Sequence, residues 1–214
     1  MPRPSRNTDR LLIEAAKTML PKTGVSGLKL RQVAKKAGVN LGMFHYYFGT
    51  KEEFVHEVLK EIYNDFFSDF KIQSSGAGDP LTRLKSAVVS LGKFVRNNRQ
   101  IIFAVITDLL RGNKGMMRFA GKNFIYHISV LSDLVSECQE KNHFTNIPLP
   151  HAVAFIAGSI AFPNAIMEIV DKSGVQKPMG IKKKLLENQL LSDKAIEIRA
   201  ELIIKALKPQ PEKL

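Results

Sequence analysis

Residues 30–54 read LRQVAKKAGVNLGMFHYYFGTKEEF, and this stretch decides the fold of the N-terminal part of the chain. Two short amphipathic segments flank Gly38, which can end a helix in the left-handed conformation. Asn40 is a good N-cap for the second segment. The small Ala34 lies where two steeply crossing helices would meet, and Val39 can fill the space under the turn. The pattern predicts a helix-turn-helix, although an ordinary helical hairpin with a glycine turn would have the same local features.

Helical signals continue on both sides of this stretch. A first helix is predicted over about Thr8–Leu20, and Pro21 and Gly24 are expected to end it. Thr50 and Glu53 have the spacing of a capping box, in which each side chain satisfies the backbone N–H of the other residue. The long helix that this box opens carries an apolar residue at every fourth position: Phe54, Val58, Ile62, Phe66 and Phe70.

The rest of the chain also has helical periodicity, and no strand-like alternation persists long enough to compete with it. Residues 74–80 are rich in serine and glycine and form the clearest linker. Helices are expected after it at about 80–97, 99–111, 115–141, 150–169 and 190–207. Residues 171–189 are left open, because glycines and a proline favour a loop there while residues 181–191 could form another helix. The sequence therefore predicts an all-α fold.

The composition excludes several classes of protein. With 214 residues and 44% hydrophobic residues, the chain can bury a core and is not expected to be disordered. The single cysteine, Cys138, excludes an intramolecular disulfide and a cysteine-based zinc site, and neither a cofactor nor a metal is expected. The N-terminus lacks the apolar segment of a secretory signal, and the longest stretch without charged residues or histidine, Ala152–Met167, is short for a membrane span. We expect a soluble, cytoplasmic protein with no membrane partner.

Basic charge is concentrated near the N-terminus. The formal net charge of the chain is +12. The first sixty residues hold eleven basic and five acidic side chains, so half of the net charge lies in little more than a quarter of the chain. This distribution favours a polyanionic partner, and a nucleic acid should meet the chain within these sixty residues.

The stretch quoted above resembles the N-terminal domain of the tetracycline-repressor (TetR) family of bacterial transcriptional regulators. The resemblance covers about residues 8–55 without a gap. It implies an N-terminal three-helix helix-turn-helix domain at residues 1–53, joined by a long fourth helix to a larger helical effector-binding and dimerisation domain at residues 54–214. It further implies a ligand-responsive repressor with a double-stranded DNA operator, a small-molecule effector and a homodimeric state.

The same resemblance implies which residues contact DNA. Gly42 resembles the glycine that lets the recognition helix approach DNA, Tyr46 the aromatic residue that donates its hydroxyl to a phosphate, and Lys51 the lysine that contacts the DNA backbone. At several neighbouring positions this sequence departs from the usual residues of the family. The full set of expected DNA-binding residues is Lys29, Asn40, Leu41, Gly42, Met43, His45, Tyr46 and Lys51.

The contacts that would read the base sequence stay open at this point. Leu41 or Met43 could contact thymine methyl groups. Asn40 or His45 could hydrogen-bond to base edges, and His45 could equally be an ordinary surface residue. Tyr46 could be a half-buried aromatic residue with its hydroxyl in solvent. Phosphate contacts are therefore the firmer expectation.

The helices beyond the linker are rich in large apolar side chains with few polar ones between them. This composition suits a small-molecule cavity, although an ordinary filled core has the same composition. It favours an apolar or aromatic effector, and the resemblance implies that the pocket lies in this domain. The candidate pocket residues are Phe94, Phe103, Ile106, Leu110, Phe124, His127, Phe155 and Phe162.

Two of the later helices are expected, by the resemblance, to form the interface of a two-fold dimer. One carries a face of small residues: Ala154, Ala157, Gly158, Ala161 and Ala165. The other carries an apolar face: Ile196, Ala200, Ile203, Ile204 and Leu207. Taken alone, both are ordinary amphipathic core helices. A two-fold dimer would let two recognition helices read a pseudo-palindrome.

Two other classes of function compete with this interpretation. The common catalytic and nucleotide-binding fingerprints are missing from the sequence, and although Cys138 could pair with His127 or His143, its apolar neighbours predict a buried thiol. An enzyme is therefore not expected. The main alternative is a helical protein-binding adaptor without specific DNA recognition, which would be insensitive to changes at Tyr46 or Lys51.

Overall fold

A computed structural model describes residues 7–74 and 78–209, and the chain is helical through most of these ranges. The α-helices are α1 (Thr8–Gly27), α2 (Leu30–Ala37), α3 (Leu41–Phe48), α4 (Lys51–Ser74), α5 (Pro80–Asn97), α6 (Arg99–Leu110), α7 (Lys114–Glu140), α8 (Leu149–Ser173), α9 (Lys183–Leu191) and α10 (Asp193–Leu207). A short 3₁₀ turn covers Pro178–Gly180. The described ranges contain no strand, which confirms the predicted all-α fold.

The first helix is longer than its sequence predicts. α1 continues through Pro21 to Gly27, so the predicted end near Leu20 is wrong. Pro21 removes only one backbone donor, and the helix passes it. The helical geometry breaks instead at Gly24, where φ is +64° and ψ is 178°. A positive φ is accessible to glycine at little steric cost, so the break falls at Gly24, the second of the two residues expected to end the helix.

The described residues up to Phe66 and the segment Gln100–Lys122 form one compact unit. Helices α1, α2 and α3 pack against one another in it. Their shared core is fully or almost fully buried: Leu12, Leu20, Val33, Phe44 and Phe54. The rings of Phe44 on α3 and Phe54 on α4 meet edge to face, with their centroids 5.0 Å apart. These contacts fix the inner face of α3. That a DNA-binding domain ends at residue 53 stays a prediction.

The segments Phe67–Arg99 and Asn123 onward form a second compact unit. In this unit α5 packs against α8 and α10. The buried residues of these three helices include Leu84, Val88, Ile156, Ala200 and Ile203. The region that the sequence left open contains the 3₁₀ turn and most of α9. Leu186 of α9 packs with Met167 and Val170 of α8, so the helical alternative is the correct one for residues 183–191.

Among the described helices, α8 is long and apolar enough to cross a membrane by length and composition. One of its faces is nevertheless buried in the second unit, with Ala152, Ile156 and Met167 fully enclosed. Its neighbours there are α5, α9 and α10. α8 is therefore a core helix of this unit, and its opposite face stays exposed.

The crossing of α5 and α10 leads to a first testable prediction. A Cβ atom at Gly92 would lie 2.8 Å from Cγ2 of the buried Ile196. We expect Gly92→Val to lower the free energy of unfolding by about 1–3 kcal/mol, because overpacking forces the two helices apart. Urea unfolding followed by circular dichroism measures this change. An unchanged free energy of unfolding would contradict the prediction.

The matched control for this substitution lies on α7. Gly121 is exposed, and a Cβ atom added there meets nothing within 4 Å. Gly121→Ala should therefore raise the stability by up to about 1 kcal/mol through helix propensity alone.

Candidate nucleic-acid interface

The turn between α2 and α3 has the geometry that its sequence predicts. Gly38 adopts the left-handed conformation, with φ at +69°. The N–H of Val39 then donates to the carbonyl of Ala34 at 3.0 Å, which satisfies one of the last carbonyls of α2. The Oδ1 atom of Asn40 accepts a hydrogen bond from the N–H of Gly42 at 2.8 Å and caps α3. The predicted helix-turn-helix is confirmed.

One face of α3 is exposed to solvent. Gly42, His45 and Tyr46 lie three and four residues apart on this face, and all three are exposed. The side chain of Tyr46 is 70% exposed. Leu41 and Met43 are half-buried beside them. This face therefore offers a hydroxyl, an imidazole and a close approach to the backbone at Gly42.

Two other expected DNA-binding residues precede the helices of the motif. Lys29 is exposed directly before α2. Asn40 is exposed as well, but its side-chain oxygen is committed to the N-cap of α3. Its amide nitrogen keeps two N–H donors, so Asn40 can donate to a partner more readily than it can accept from one.

The predicted capping box opens α4. Oε2 of Glu53 accepts hydrogen bonds from the Thr50 N–H at 3.1 Å and from the Thr50 hydroxyl at 2.9 Å. The Glu53 N–H donates in turn to Oγ1 of Thr50 at 3.1 Å. These reciprocal bonds fix the first turn of α4 directly after α3.

Lys51, the first residue of α4, points back towards the end of α1. Its Nζ atom donates to the carbonyl of Ser26 at 3.0 Å, and its side chain is half-buried. Burial lowers the pKa of this ammonium group. An ammonium group has three donors, so two remain for other partners.

Sequence reasoning missed Asp108 on α6. Its carboxylate is buried and accepts hydrogen bonds from the backbone of Val25 and from the backbone and hydroxyl of Ser26. The sequence carries no local signal for this contact, because more than eighty residues separate the two segments.

The candidate pocket residues are divided between the two compact units. Phe94 and His127 are buried in the second unit. Phe103 and Ile106 are half-buried in the first unit. The side chain of Phe124 lies outside the described residues.

The remaining three candidates are exposed. Leu110 lies at the end of α6 with 85% of its surface exposed. Phe155 and Phe162 lie on the outer face of α8. Both line an open groove of about 790 Å³ between α8 and α10, together with Gly158, Leu202 and other small or apolar residues.

The structure corrects the expected interface residues on α10. Four of them are buried within the second unit: Ile196, Ala200, Ile203 and Leu207. The prediction that these four residues contact a partner chain is therefore wrong. α10 has two apolar faces, and the face that carries these residues packs within its own chain. The outward face carries Ile198 and Leu202 instead. The small-residue face of α8 is exposed as expected at Ala154, Ala157, Gly158 and Ala161.

Cys138 has the properties of a core residue. It is fully buried, and burial raises the pKa of its thiol to about 11. Burial favours the protonated form of the thiol, and the predicted buried thiol is confirmed. Within the described ranges, no group of three potential metal ligands lies together.

Known proteins share both the motif and the fold. Residues 12–58, which contain α2, α3 and the start of α4, match the sequence model of the tetR family of bacterial regulatory proteins. The chain is 21% identical over 159 residues to the probable HTH-type transcriptional regulator YttP of Bacillus subtilis (strain 168). The aligned residues cover 73% of this chain and 77% of that protein. This chain is 26% identical over 167 residues to the HTH-type transcriptional repressor NicS of Pseudomonas putida, covering 75% and 76% of the two chains.

A solved structure extends the similarity to the whole length of the chain. The structure of FadR, a fatty acid degradation regulator from Bacillus halodurans, superposes with a TM-score of 0.72 at 18% identity. The superposition covers 97% of this chain and 100% of that protein. At this identity the similarity establishes a shared fold.

Proposed function

Because the chain belongs to the tetR family of bacterial transcriptional regulators, we propose that it is a cytoplasmic repressor that binds a palindromic operator as a homodimer. A small, largely apolar effector releases it from the operator. The observation that carries the DNA-binding part is the exposed face of α3, where Gly42, His45 and Tyr46 project from a helix with a capped turn. The excess of basic residues in the first sixty positions supports the same partner.

Phosphate contacts are assigned to Tyr46, Lys29 and Lys51. The Tyr46 hydroxyl lies at the outer end of a largely exposed side chain and can donate to a phosphate oxygen. Lys29 adds an exposed positive charge before α2. Lys51 keeps two N–H donors beside its bond to Ser26, so it can hold a phosphate and the end of α1 together.

Base contacts are assigned to the first turns of α3, which enter the major groove. The exposed imidazole of His45 and the amide N–H groups of Asn40 can hydrogen-bond to base edges. Leu41 and Met43 are half-buried and can offer thymine methyl groups only part of their side chains. Gly42 carries no side chain and lets the helix backbone approach the DNA.

The homodimer is assigned to the outer faces of α8 and α10. Phe162 and Leu202 are 67% and 59% exposed on opposite sides of the groove, and the small residues of α8 allow close approach of a second copy. A contiguous apolar face of this kind is typical of an interaction surface. Two-fold symmetry would present two copies of α3 to successive half-sites of the operator.

The effector is assigned to the interior of the second unit. The ring of His127 lies 5.2 Å from the ring of Phe67 and 5.0 Å from that of Phe70, and Phe94 and Asn164 are buried in the same unit. A few polar groups among aromatic side chains suit an apolar ligand with one or two polar atoms. A ligand that binds tightly but leaves operator affinity unchanged would contradict this part of the proposal.

The experiment that tests the DNA-binding function is a titration of the purified protein onto the DNA upstream of its own gene. Random competitor DNA is present in excess, and the ionic strength is varied. We expect saturable, competitor-resistant binding at two chains, or a small multiple of two, per site. The complete absence of DNA binding by a folded protein would instead favour the protein-binding adaptor.

Tyr46→Phe tests the phosphate contact directly. Loss of a hydrogen bond to a charged phosphate should weaken operator binding by about tenfold or more, since each such bond contributes about 1.5–3 kcal/mol. The same titration measures the loss. Tyr47→Phe is the matched control, because Tyr47 is half-buried on the neighbouring side of α3 and should change the affinity by less than about twofold. Equal operator affinities of Tyr46→Phe and the unaltered protein would show that the Tyr46 hydroxyl does not contact the DNA.

A further inference from the structure

Asp108 on α6 is a buried carboxylate whose two oxygens both serve the end of α1. Its side chain is almost entirely enclosed, with the residue only 2% exposed. Oδ2 accepts the N–H of Val25 at 2.8 Å and that of Ser26 at 3.2 Å, while Oδ1 accepts the Ser26 hydroxyl at 2.6 Å. A buried carboxylate without partners would be costly, and these three bonds offset that cost.

The break in α1 explains why these donors are available. At Gly24 the helical geometry is interrupted, so Val25 and Ser26 begin a new turn. The first N–H groups of a helical turn lack partners within the helix. Asp108 supplies the acceptor from another helix, as an N-cap side chain would supply it from the same helix.

Ser26 also connects this contact to α4. Its carbonyl accepts the hydrogen bond from Nζ of Lys51 at 3.0 Å. Lys51 begins the helix that directly follows α3. Ser26 therefore binds Asp108 on α6 and Lys51 on α4, so α6 is joined directly to the end of α1 and, through Ser26, to the start of α4.

We infer that Asp108 is a positioning residue for operator binding. It holds the Ser26 segment, and through it Lys51 and the end of α3, in the arrangement that fits DNA. Asp108 does not touch the DNA itself. Arg99, the first residue of α6, belongs to the second unit, and the rest of α6 belongs to the first unit. The contact of Asp108 with Ser26 therefore lies on the helix in which the chain passes from the second unit to the first. The inference rests on the proposed DNA-binding function.

Asp108→Asn tests this role with little change in volume. The amide replaces one acceptor by a donor, which opposes the N–H groups of Val25 and Ser26. We expect affinity for the upstream DNA to fall by about tenfold, while affinity for a random duplex at low salt changes by less than about twofold. The ratio of the two affinities is the decisive readout, because a purely structural loss of folded protein would lower both equally. Asp133→Asn, an exposed aspartate on α7, is the matched control and should leave the ratio unchanged.

Ser26→Ala gives an independent measurement if Asp108→Asn fails to fold. It removes only the hydroxyl bond and leaves both backbone N–H bonds to Asp108 in place. We expect the affinity ratio to fall by about threefold, and to fall no further when Ser26→Ala is added to Asp108→Asn. Unchanged ratios in the folded variants would overturn the inference. If the unaltered protein itself fails to bind the upstream DNA or a sequence selected from random DNA, the proposed function fails first, and this inference with it.

Discussion

Replacing Phe162 by glutamate should convert the proposed homodimer into monomers and weaken operator binding by about 100-fold or more. Phe162 is 67% exposed on α8 and lines the groove between α8 and α10. In a two-fold interface the substitution is present in both chains, so it places two carboxylates in a largely apolar contact, where their removal from water is costly. The operator would then be bound by one recognition helix at a time, which loses the gain in affinity from linking two binding sites.

Sedimentation measures the oligomeric state of this variant, and the DNA titration measures its affinity. Because Phe162 is largely exposed within its own chain, the helix content and the folding of the protomer should stay unchanged. Met179→Glu is the matched control: Met179 is more exposed than Phe162 but lies outside the groove. A Phe162→Glu variant that stays dimeric and binds the operator normally would show that the interface lies elsewhere.

The helix-turn-helix could be predicted because its determinants are local. Gly38, Asn40 and Thr50 each act on backbone groups within five residues of themselves. Each of these signals acts locally, and all of them are compatible with the same arrangement. The exposed face of α3 follows from this arrangement, because Phe44 is held inside by Phe54.

The faces of α10 could not be assigned from sequence, because the helix is apolar on two sides. Periodicity identifies the stripe that contains Ile203 as well as the outer pair Ile198 and Leu202, but it does not say which one meets its own chain. Gly92 on α5 favours packing of the face that contains Ile196, because a glycine has no side chain and leaves room for Ile196. Long-range contacts of this kind have no sequence-local signature.

Polar contacts between distant segments were missed for the same reason. Asp108 and Ser26 are 82 residues apart, and Lys51 could be placed in a first helical turn but not against Ser26. The candidate pocket residues were chosen by residue type alone. Residue type does not distinguish the buried Phe94 from the exposed Phe162.

Arg99→Met should lower the free energy of unfolding by about 3 kcal/mol, because it removes one cation from a group of partly buried carboxylates. The Arg99 guanidinium is only 16% exposed and donates to Oδ2 of Asp171 at 2.5 Å and to Oε1 of Glu187 at 2.7 Å. Lys183 still pairs with Asp171, which keeps the expected loss at the lower end of the range for a broken buried pair. Lys85→Met is the control, since the exposed pair of Lys85 with Glu201 should contribute less than about 1 kcal/mol.

The dependence of this loss on pH identifies the ion pair as its cause. Burial by itself would raise the pKa of the Asp171 carboxyl, but hydrogen bonds from Lys183 and Arg99 hold the pKa below its ordinary value. A carboxyl group whose pKa is lower in the folded state stabilises the fold above its unfolded pKa of about 3.9, and this contribution disappears as the pH falls through the folded value. The stability difference between the unaltered protein and Arg99→Met, measured by urea unfolding, should stay constant from about pH 7 to 5 and narrow below about pH 4. A difference that persists unchanged into this acidic range would mean that Arg99 stabilises the second unit through packing of its side chain and not through its charge.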